Sequence, residues 1–304
     1  MHNGEALYAR DAGKSANADD AAKLDGLAPE AYIQPQDGIL DNGYFKINQK
    51  GETEYSTFGI SVDRWAINRA IVKVYADCIS LRWNGTDRDS GNIFERIERD
   101  ALLPNAIYTF SVLVKDVGLL SVTFTTKTEA PSEPIFIAQK RFGDLELSVH
   151  DTPESYQFNV YTYSTKESYL KAAKAEPGAY FTGWPVWNYA LELAKCQRYF
   201  WRQSGVWIPA GIATAMGSNV AHTYISYPVP FRTTPSIRFN KLYLNGTGAF
   251  TTDAIPITRF RFGKNSNGNA LIVIECSGGL TPGTSYVVTS REDSDAYLEF
   301  NANL

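Results

Sequence analysis

The sequence predicts a mainly β protein: two antiparallel β-sandwich (jelly-roll-like) domains joined by one short helix, behind an N-terminal segment too poor in apolar residues to build a core. Three observations lead there. The composition favours pleated sheets, turn signals recur about every ten residues, and only one stretch carries helical spacing. The 304 residues are enough for about two domains, 44% of them are hydrophobic, and only 20% are charged. That balance suits a buried core and argues against a disordered or coiled-coil chain. Aromatic residues make up 13%, with 18 Tyr, 16 Phe and 6 Trp. Most of these rings are expected in the core, and a minority at a binding surface.

Residues 1–37 differ from the rest. The run from Ala12 to Tyr32 is rich in Ala and Asp, and Leu24, Leu27 and Tyr32 are too few to form a core. Such a segment either stays flexible or gains order by packing against copies of itself. Gln34-Pro35-Gln36-Asp37-Gly38 follows as a linker.

Residues 38–203 form the first expected β domain. Ile60, Val62, Trp65, Ile67, Ile71, Val72, Val74 and Tyr75 partly alternate within 58–83, before a polar loop at 84–92. A hairpin is expected from 106–114 and 119–127, with further strands at 134–139, 144–150 and 156–164. Residues 188–203 break the pattern: no Gly or Pro, and Tyr189, Leu193, Cys196 and Phe200 at helical spacing. Asn188 is the expected N-cap, with Glu192 in the first turn. Residues 204–304 return to β texture, with strands at 207–213, 221–229, 235–244, 256–262, 270–276, 284–290 and 296–303. Val229 lies between Pro228 and Pro230, so that segment ends a strand or lies on an edge.

Several functions are excluded or disfavoured. The formal net charge is −4 and no basic stripe appears, which argues against nucleic acid as a partner. Cys78, Cys196 and Cys276 are odd in number and far apart, and are expected as buried free thiols. His2, His150 and His222 give no metal-ligand spacing, so neither a metal nor another cofactor is expected. No signal-peptide pattern and no apolar run of ~18 residues is present, so no membrane insertion is expected.

Four motifs then resemble a known family. Ala16-Asn-Ala-Asp19 and Lys23-Leu-Asp-Gly-Leu27 resemble the short shaft repeats of phage tail fibres. Asn48-Gln-Lys-Gly51, then Tyr55, then Val62-Asp-Arg-Trp65 resembles the opening of a carbohydrate-binding-module-like domain in tail fibre proteins. Glu192-Leu-Ala-Lys-Cys-Gln-Arg-Tyr-Phe200 resembles the helix that closes that domain, and Ala175-Glu-Pro-Gly178 stands where the family has a related turn. Tyr227-Pro-Val-Pro-Phe-Arg-Thr-Thr-Pro235 resembles a strand of the C-terminal tip domain, with Phe231 in place of the usual Met. The resemblance spans nearly the whole chain. It implies a tail fibre receptor-binding protein in a virion tail, made in the host cytoplasm, working as a homotrimer. It further implies attachment through the N-terminus to an upstream tail or baseplate protein, with a bacterial surface glycan or other host receptor at the distal end. Within the second motif, Asp63, Arg64 and Trp65 are expected as a structural ion pair over a buried ring.

The expected protein is not an enzyme. Acidic pairs exist at Asp87/Asp89, Glu95/Glu98 and Glu292/Asp293/Asp295, all placed in loops or polar runs, and no GxSxG or Cys–His arrangement appears. Sugar binding needs an aromatic face for the C–H side of a pyranose and planar polar groups for its hydroxyls. One candidate cluster is Trp83, Asn84, Asp87, Arg88 and Asp89. Phe181, Trp184, Trp187 and Asn188 form another, expected mainly as a packing anchor for the helix. The favoured one is Tyr243, Asn245, Phe250, Lys264, Asn265 and Asn267, in loops of the distal domain. The competing readings are a fibre connector without its own receptor site and, less favoured, a glycan hydrolase.

Overall fold

The computed structural model describes residues 38–86, 89–208, 210–246, 254–266 and 269–303. The core-poor segment 1–37, and with it the shaft motifs, lies outside these residues. The described chain is mainly β, built from antiparallel sheets with one α-helix. No helix among the described residues is long and apolar enough to cross a membrane.

The first unit contains β1 (Glu54–Tyr55), β2 (Gly59–Ile60), β3 (Ala66–Asn68), β4 (Ala70–Val74), β5 (Ile79–Trp83) and β6 (Gly91–Glu98). It continues through β7 (Ile107–Val114), β8 (Gly118–Thr125), β9 (Ile135–Phe142), β10 (Leu145–Asp151), β11 (Ser155–Thr162) and β12 (Ser168–Pro177). Two six-stranded sheets result, in the orders β1-β4-β5-β12-β7-β8 and β2-β3-β6-β11-β10-β9. In β8 the alternation is plain: Leu120, Val122 and Phe124 are buried while Leu119, Thr123 and Thr125 face out. Rings join the two sheets, with Phe110 of β7 5.4 Å from Phe158 of β11, and Phe124 of β8 5.7 Å from the same ring. The β7–β8 hairpin and strands β9 to β11 fall where the sequence predicts them.

Two strands were not predicted, β6 and β12. Each carries buried charge: Glu95 on β6, and Lys174 and Glu176 on β12, the last two ion-paired at 2.9 Å. Those charges interrupt the apolar pattern on which strand prediction depends. The expected surface loop at 84–92 therefore ends early, and Glu95 is fully buried rather than loop-borne. β12 also has helix-like composition, overridden by its pairing with β5 and β7. The small side chains of Ala173 and Ala175 let residues 38–43 lie against it, with Ile39 N donating to Ala175 O at 2.8 Å and Ala173 N to Gly43 O at 2.7 Å.

The helix α1 spans Tyr189–Gln197, shorter than the predicted 188–203. Asn188 is its N-cap, and its side chain accepts from Leu191 N at 3.1 Å. Of the predicted stripe, Cys196 is fully buried, Leu193 half-buried and Tyr189 54% exposed. Beyond the helix the aromatic run turns into β13 (Phe200–Ser204), because the end of the chain, β21 (Tyr297–Asn301), supplies a partner strand with Phe200 opposite Asn301.

The second unit adds β14 (Gly211–Ala215), β15 (Val220–Ser226), β16 (Ser236–Asn240), β17 (Tyr243–Gly246), β18 (Ile255–Ser266), β19 (Asn269–Cys276) and β20 (Ser285–Thr289). β15 ends at Ser226, just before Pro228, as the prolines require. An open sandwich was predicted, but the strands form a closed barrel, β14-β15-β19-β18-β17-β20, flanked by the sheet β13-β21-β16. Closure rests on β18, twelve residues long, with register shifts at Ile257/Arg259 and Phe262/Lys264. Bulges bend a strand and increase its twist, so β18 reaches β17 with its start and β19 along its length. Ala213, Ala215 and Ala221 belong to a second core cluster, separate from that of the first unit. All three cysteines are buried and free, as expected.

Candidate functional site

The turn between β13 and β14 and the segment after β20 meet at one end of the barrel. Ser290 Oγ donates to Gly205 O at 2.8 Å and accepts from Ile208 N at 2.9 Å. Trp207 N donates to Arg291 O at 2.6 Å, which fixes these two residues side by side. Trp207, Arg291, Glu292 and Asp293 then line a hollow of about 220 Å³.

Three side chains here sit on left-handed backbone: Trp207 at φ 54°, Arg291 at φ 57° and Lys241 at φ 51°. Non-glycine residues rarely adopt that region, and such positions concentrate at binding sites. Trp207 is 41% exposed. Tyr243 donates its hydroxyl to Asp293 Oδ2 at 3.4 Å, and the Arg291 guanidinium lies 5.7 Å from the Tyr243 ring centre. Lys241 Nζ is 3.4 Å from Asp293 Oδ1 and 2.8 Å from Asp295 Oδ1. The hydrogen bond to Asp295 raises the Lys241 ammonium above its ordinary value, and the same bond lowers the Asp295 carboxyl. The arrangement offers an aromatic face, a guanidinium and oriented carboxylates around a shallow hollow. Such a set suits a sugar ring.

The predicted site residues separate into different places. Tyr243 joins this hollow. Asn245, expected on a loop, lies on β17 and is 1% exposed, and neither amide atom has a hydrogen-bond partner among the described residues. Lys264 is exposed on β18 opposite Leu271, whereas Tyr243 faces Pro256 of the same strand. Eight positions of extended chain, roughly 26 Å, separate the two along β18, so they do not form one site. Asn265 also lies on β18 rather than on a loop. Phe250 and Asn267 lie outside the described residues, as do Asp87 and Arg88. Trp83 is on β5, half-buried, and Asn84 turns its Oδ1 back to Thr86 N at 3.2 Å. Sequence reasoning missed Trp207, Arg291 and Lys241, and weighed Asp293 only as a member of an acidic group. A Trp after Gly205 was the one available signal; the rest come together only through barrel closure.

The aromatic segment before α1 packs on Tyr44 and Lys46, and it meets the helix where the Trp187 ring lies 5.8 Å from that of Tyr189. Tyr44 donates its hydroxyl to Pro185 O at 2.6 Å, Phe181 and Trp184 are 4.9 Å apart, and Lys46 Nζ lies 4.8 Å from the Trp187 ring centre.

At the junction of the two units lies a charged cavity of about 520 Å³, whose lining includes Asp41, Glu98, Lys195, Arg198, Tyr199 and Arg232. Beside it Arg64 is buried, with Nε 3.0 Å from Asp41 Oδ2 and 3.2 Å from Glu95 Oε1. Its guanidinium stacks 3.4 Å from the Tyr199 ring centre. The expected pair of Asp63 and Arg64 over the Trp65 ring does not form among the described residues: Arg64 pairs with Asp41 and Glu95, and the ring it covers is Tyr199. Asp63 instead accepts from Gln49 N and Nε2, at 3.1 and 2.5 Å. Burial pushes the carboxyls of Asp41 and Glu95 up, and that of Asp63 up to about 6.

Three motifs singled out in the sequence meet here. Gln49 Nε2 also donates to Phe200 O at 2.7 Å, Arg64 stacks on Tyr199, and Arg232 N donates to Arg198 O at 3.0 Å. Among the described residues no three His, Cys, Asp or Glu side chains come together so as to hold a metal ion. Comparison with protein-family models gave no match, and comparison with curated proteins gave none.

Proposed function

We propose that this chain is the receptor-binding part of a phage-type tail fibre, attaching the particle to a bacterial surface glycan through the hollow at the end of the barrel. The observation that carries the reading is the exposed ring of Trp207, held on left-handed backbone beside Tyr243, Arg291 and Asp293. The first unit, with two six-stranded sheets around one core, is read as the jelly-roll-like, carbohydrate-binding-module-like sandwich of the resemblance. The three converging motifs are read as the architecture that fixes one unit on the other. The chain acts as a non-catalytic homotrimer on a virion tail, with segment 1–37 leading to an upstream tail or baseplate protein. Three shallow hollows on one particle gain ~10²–10⁴ in avidity when they engage together, which suits weak sugar contacts.

Binding of the purified chain to host cells and to a glycan array tests this. Trp207→Ala and Arg291→Ala are each expected to weaken binding at least tenfold while the far-ultraviolet spectrum is unchanged. A chain that binds neither cells nor glycans, yet forms a tight complex with a second virion protein, would be a connector instead. Light scattering at a single-chain mass of 33.8 kDa would remove the trimer.

A further inference from the structure

A larger opening between the two units, about 550 Å³, shares no residue with the barrel-end hollow. Its first-unit wall carries Phe58, Phe94 and Arg96, and its second-unit wall carries Arg238, Glu299 and Asn301. Phe58 is 76% exposed, a ring standing in water at the rim, while Phe94 is buried at the wall. Strand register puts both Arg202 and Arg238 opposite Glu299 on β21. Arg202 takes that carboxylate, Nη1 to Oε2 at 3.6 Å. Among the described residues Arg238 makes neither an ion pair nor a side-chain hydrogen bond, and its guanidinium is exposed. Arg96 is held in place by Nε donating to Gln157 Oε1 at 3.0 Å, with its guanidinium 5.4 Å from the Phe94 ring centre. Lys50, Arg96 and Arg238 thus face Glu52 and Glu299 in the lining, a surplus of one positive charge on a chain of net charge −4, and the opening pairs guanidinium forks with an apolar ring.

We infer that this inter-unit cleft binds a carboxylate-bearing saccharide, Arg238 and Arg96 taking the carboxylate, Phe58 the C–H face of the ring and Asn301 its hydroxyls. A guanidinium fork matches a carboxylate bidentately, which a lysine cannot reproduce. An exposed phenyl ring adds selectivity for a sugar over a bare anion. The cleft needs both units in place, so its ligand also clamps them together.

The probe is a galacturonic acid tetramer titrated calorimetrically into the full chain, with its carboxyl-reduced neutral counterpart and inorganic phosphate as the other arms. Saturable binding of the acid, lost at least tenfold in Arg238→Ala and in Phe58→Ala but retained in Trp207→Ala, is the expected result. Arg238→Lys should recover only part of the loss. Equal binding of the reduced tetramer, or an Arg238→Ala variant indistinguishable from the parent, overturns the inference. Displacement of the tetramer by equimolar phosphate assigns the cleft to phosphoryl groups and overturns it as well. Because Trp207 and Arg238 lie in separate openings, failure here leaves host-cell binding through the barrel hollow untouched, and the reverse holds too.

Discussion

Arg64, on left-handed backbone at φ 73°, is held by three kinds of contact at once: two carboxylates, the Tyr199 ring and the Arg96 carbonyl at 2.6 Å. Glu95 is fully buried and Asp41 half-buried, and burial pushes both carboxyls up against the pull of the Arg64 charge. The Glu95 Oε2 atom is buried without a partner among the described residues, which fits a protonated Glu95. Arg64→Ala is therefore expected to cost about 3–5 kcal/mol in denaturant unfolding, since it strands both acids. Glu95→Gln keeps the shape of a protonated carboxyl and is expected to cost far less; an equal loss in the two variants would refute the retained proton. Asp63 gives a pH signature. Its folded value, about 6, exceeds its ordinary 3.8 because burial disfavours the charge. The folded state therefore binds more protons than the unfolded one between these values, and this residue's contribution to stability falls as pH rises from about 4 to 6. Asp63→Asn loses an acceptor for Gln49 at every pH but escapes that decline, so its Tm deficit should shrink from pH 4 to pH 6. A deficit that is constant or widens contradicts the assignment.

At the level of elements, the cap on α1 and the crowding around β6 give measurable differences. Asn188→Ala removes the acceptor for Leu191 N and should cost ~1 kcal/mol. Gly91 opens β6 where a Cβ would lie 2.1 Å from the Arg69 carbonyl oxygen, backbone that cannot swing aside. Gly91→Ala is expected to cost more than the cap, on the order of 1–3 kcal/mol or above; chemical denaturation of the two variants in parallel ranks them. Similar contrasts explain which elements were legible. The β7–β8 hairpin combines alternation with a short polar turn, and both signals are local. β6 was hidden because its buried Glu95 answers to Arg64 and Asp41, distant in sequence, and β12 because its alanines serve close approach of residues 38–43. The helix ended early because Phe200 pairs with Asn301, about a hundred residues away. Tyr243 was reachable as a binding residue from its aromatic character. Trp207 and Arg291 become neighbours only when β14 and β20 pair, with Gly211 opposite Val288.

For the whole molecule, the question is whether two separate cores behave as one cooperative unit. Inter-unit surfaces within a chain are often modest and polar, so independent unfolding is the default. Here Glu98, the last residue of β6, accepts the Tyr199 hydroxyl at 2.8 and 3.1 Å and Arg232 Nε at 2.8 Å, reaching across the junction. Burial alone would raise its carboxyl, but hydrogen bonds from its own backbone, Tyr199 and Arg232, with the Arg64 charge, together hold it below its ordinary 4.5. Because the folded value is depressed, its contribution is fully present above about 4.5 and is lost as pH falls through the lower folded value. The polar seam is thus strong at neutral pH and fades in acid, while the apolar cores on either side do not titrate. Differential scanning calorimetry should show one transition at pH 7 and two resolved transitions in acid well below pH 4.5. Glu98→Ala and Arg232→Ala should each split the transition already at neutral pH, with the lower-melting peak shifted and both peaks retained. A single transition in Glu98→Ala across that range would mean that the seam is carried by the buried Arg64 cluster rather than by Glu98.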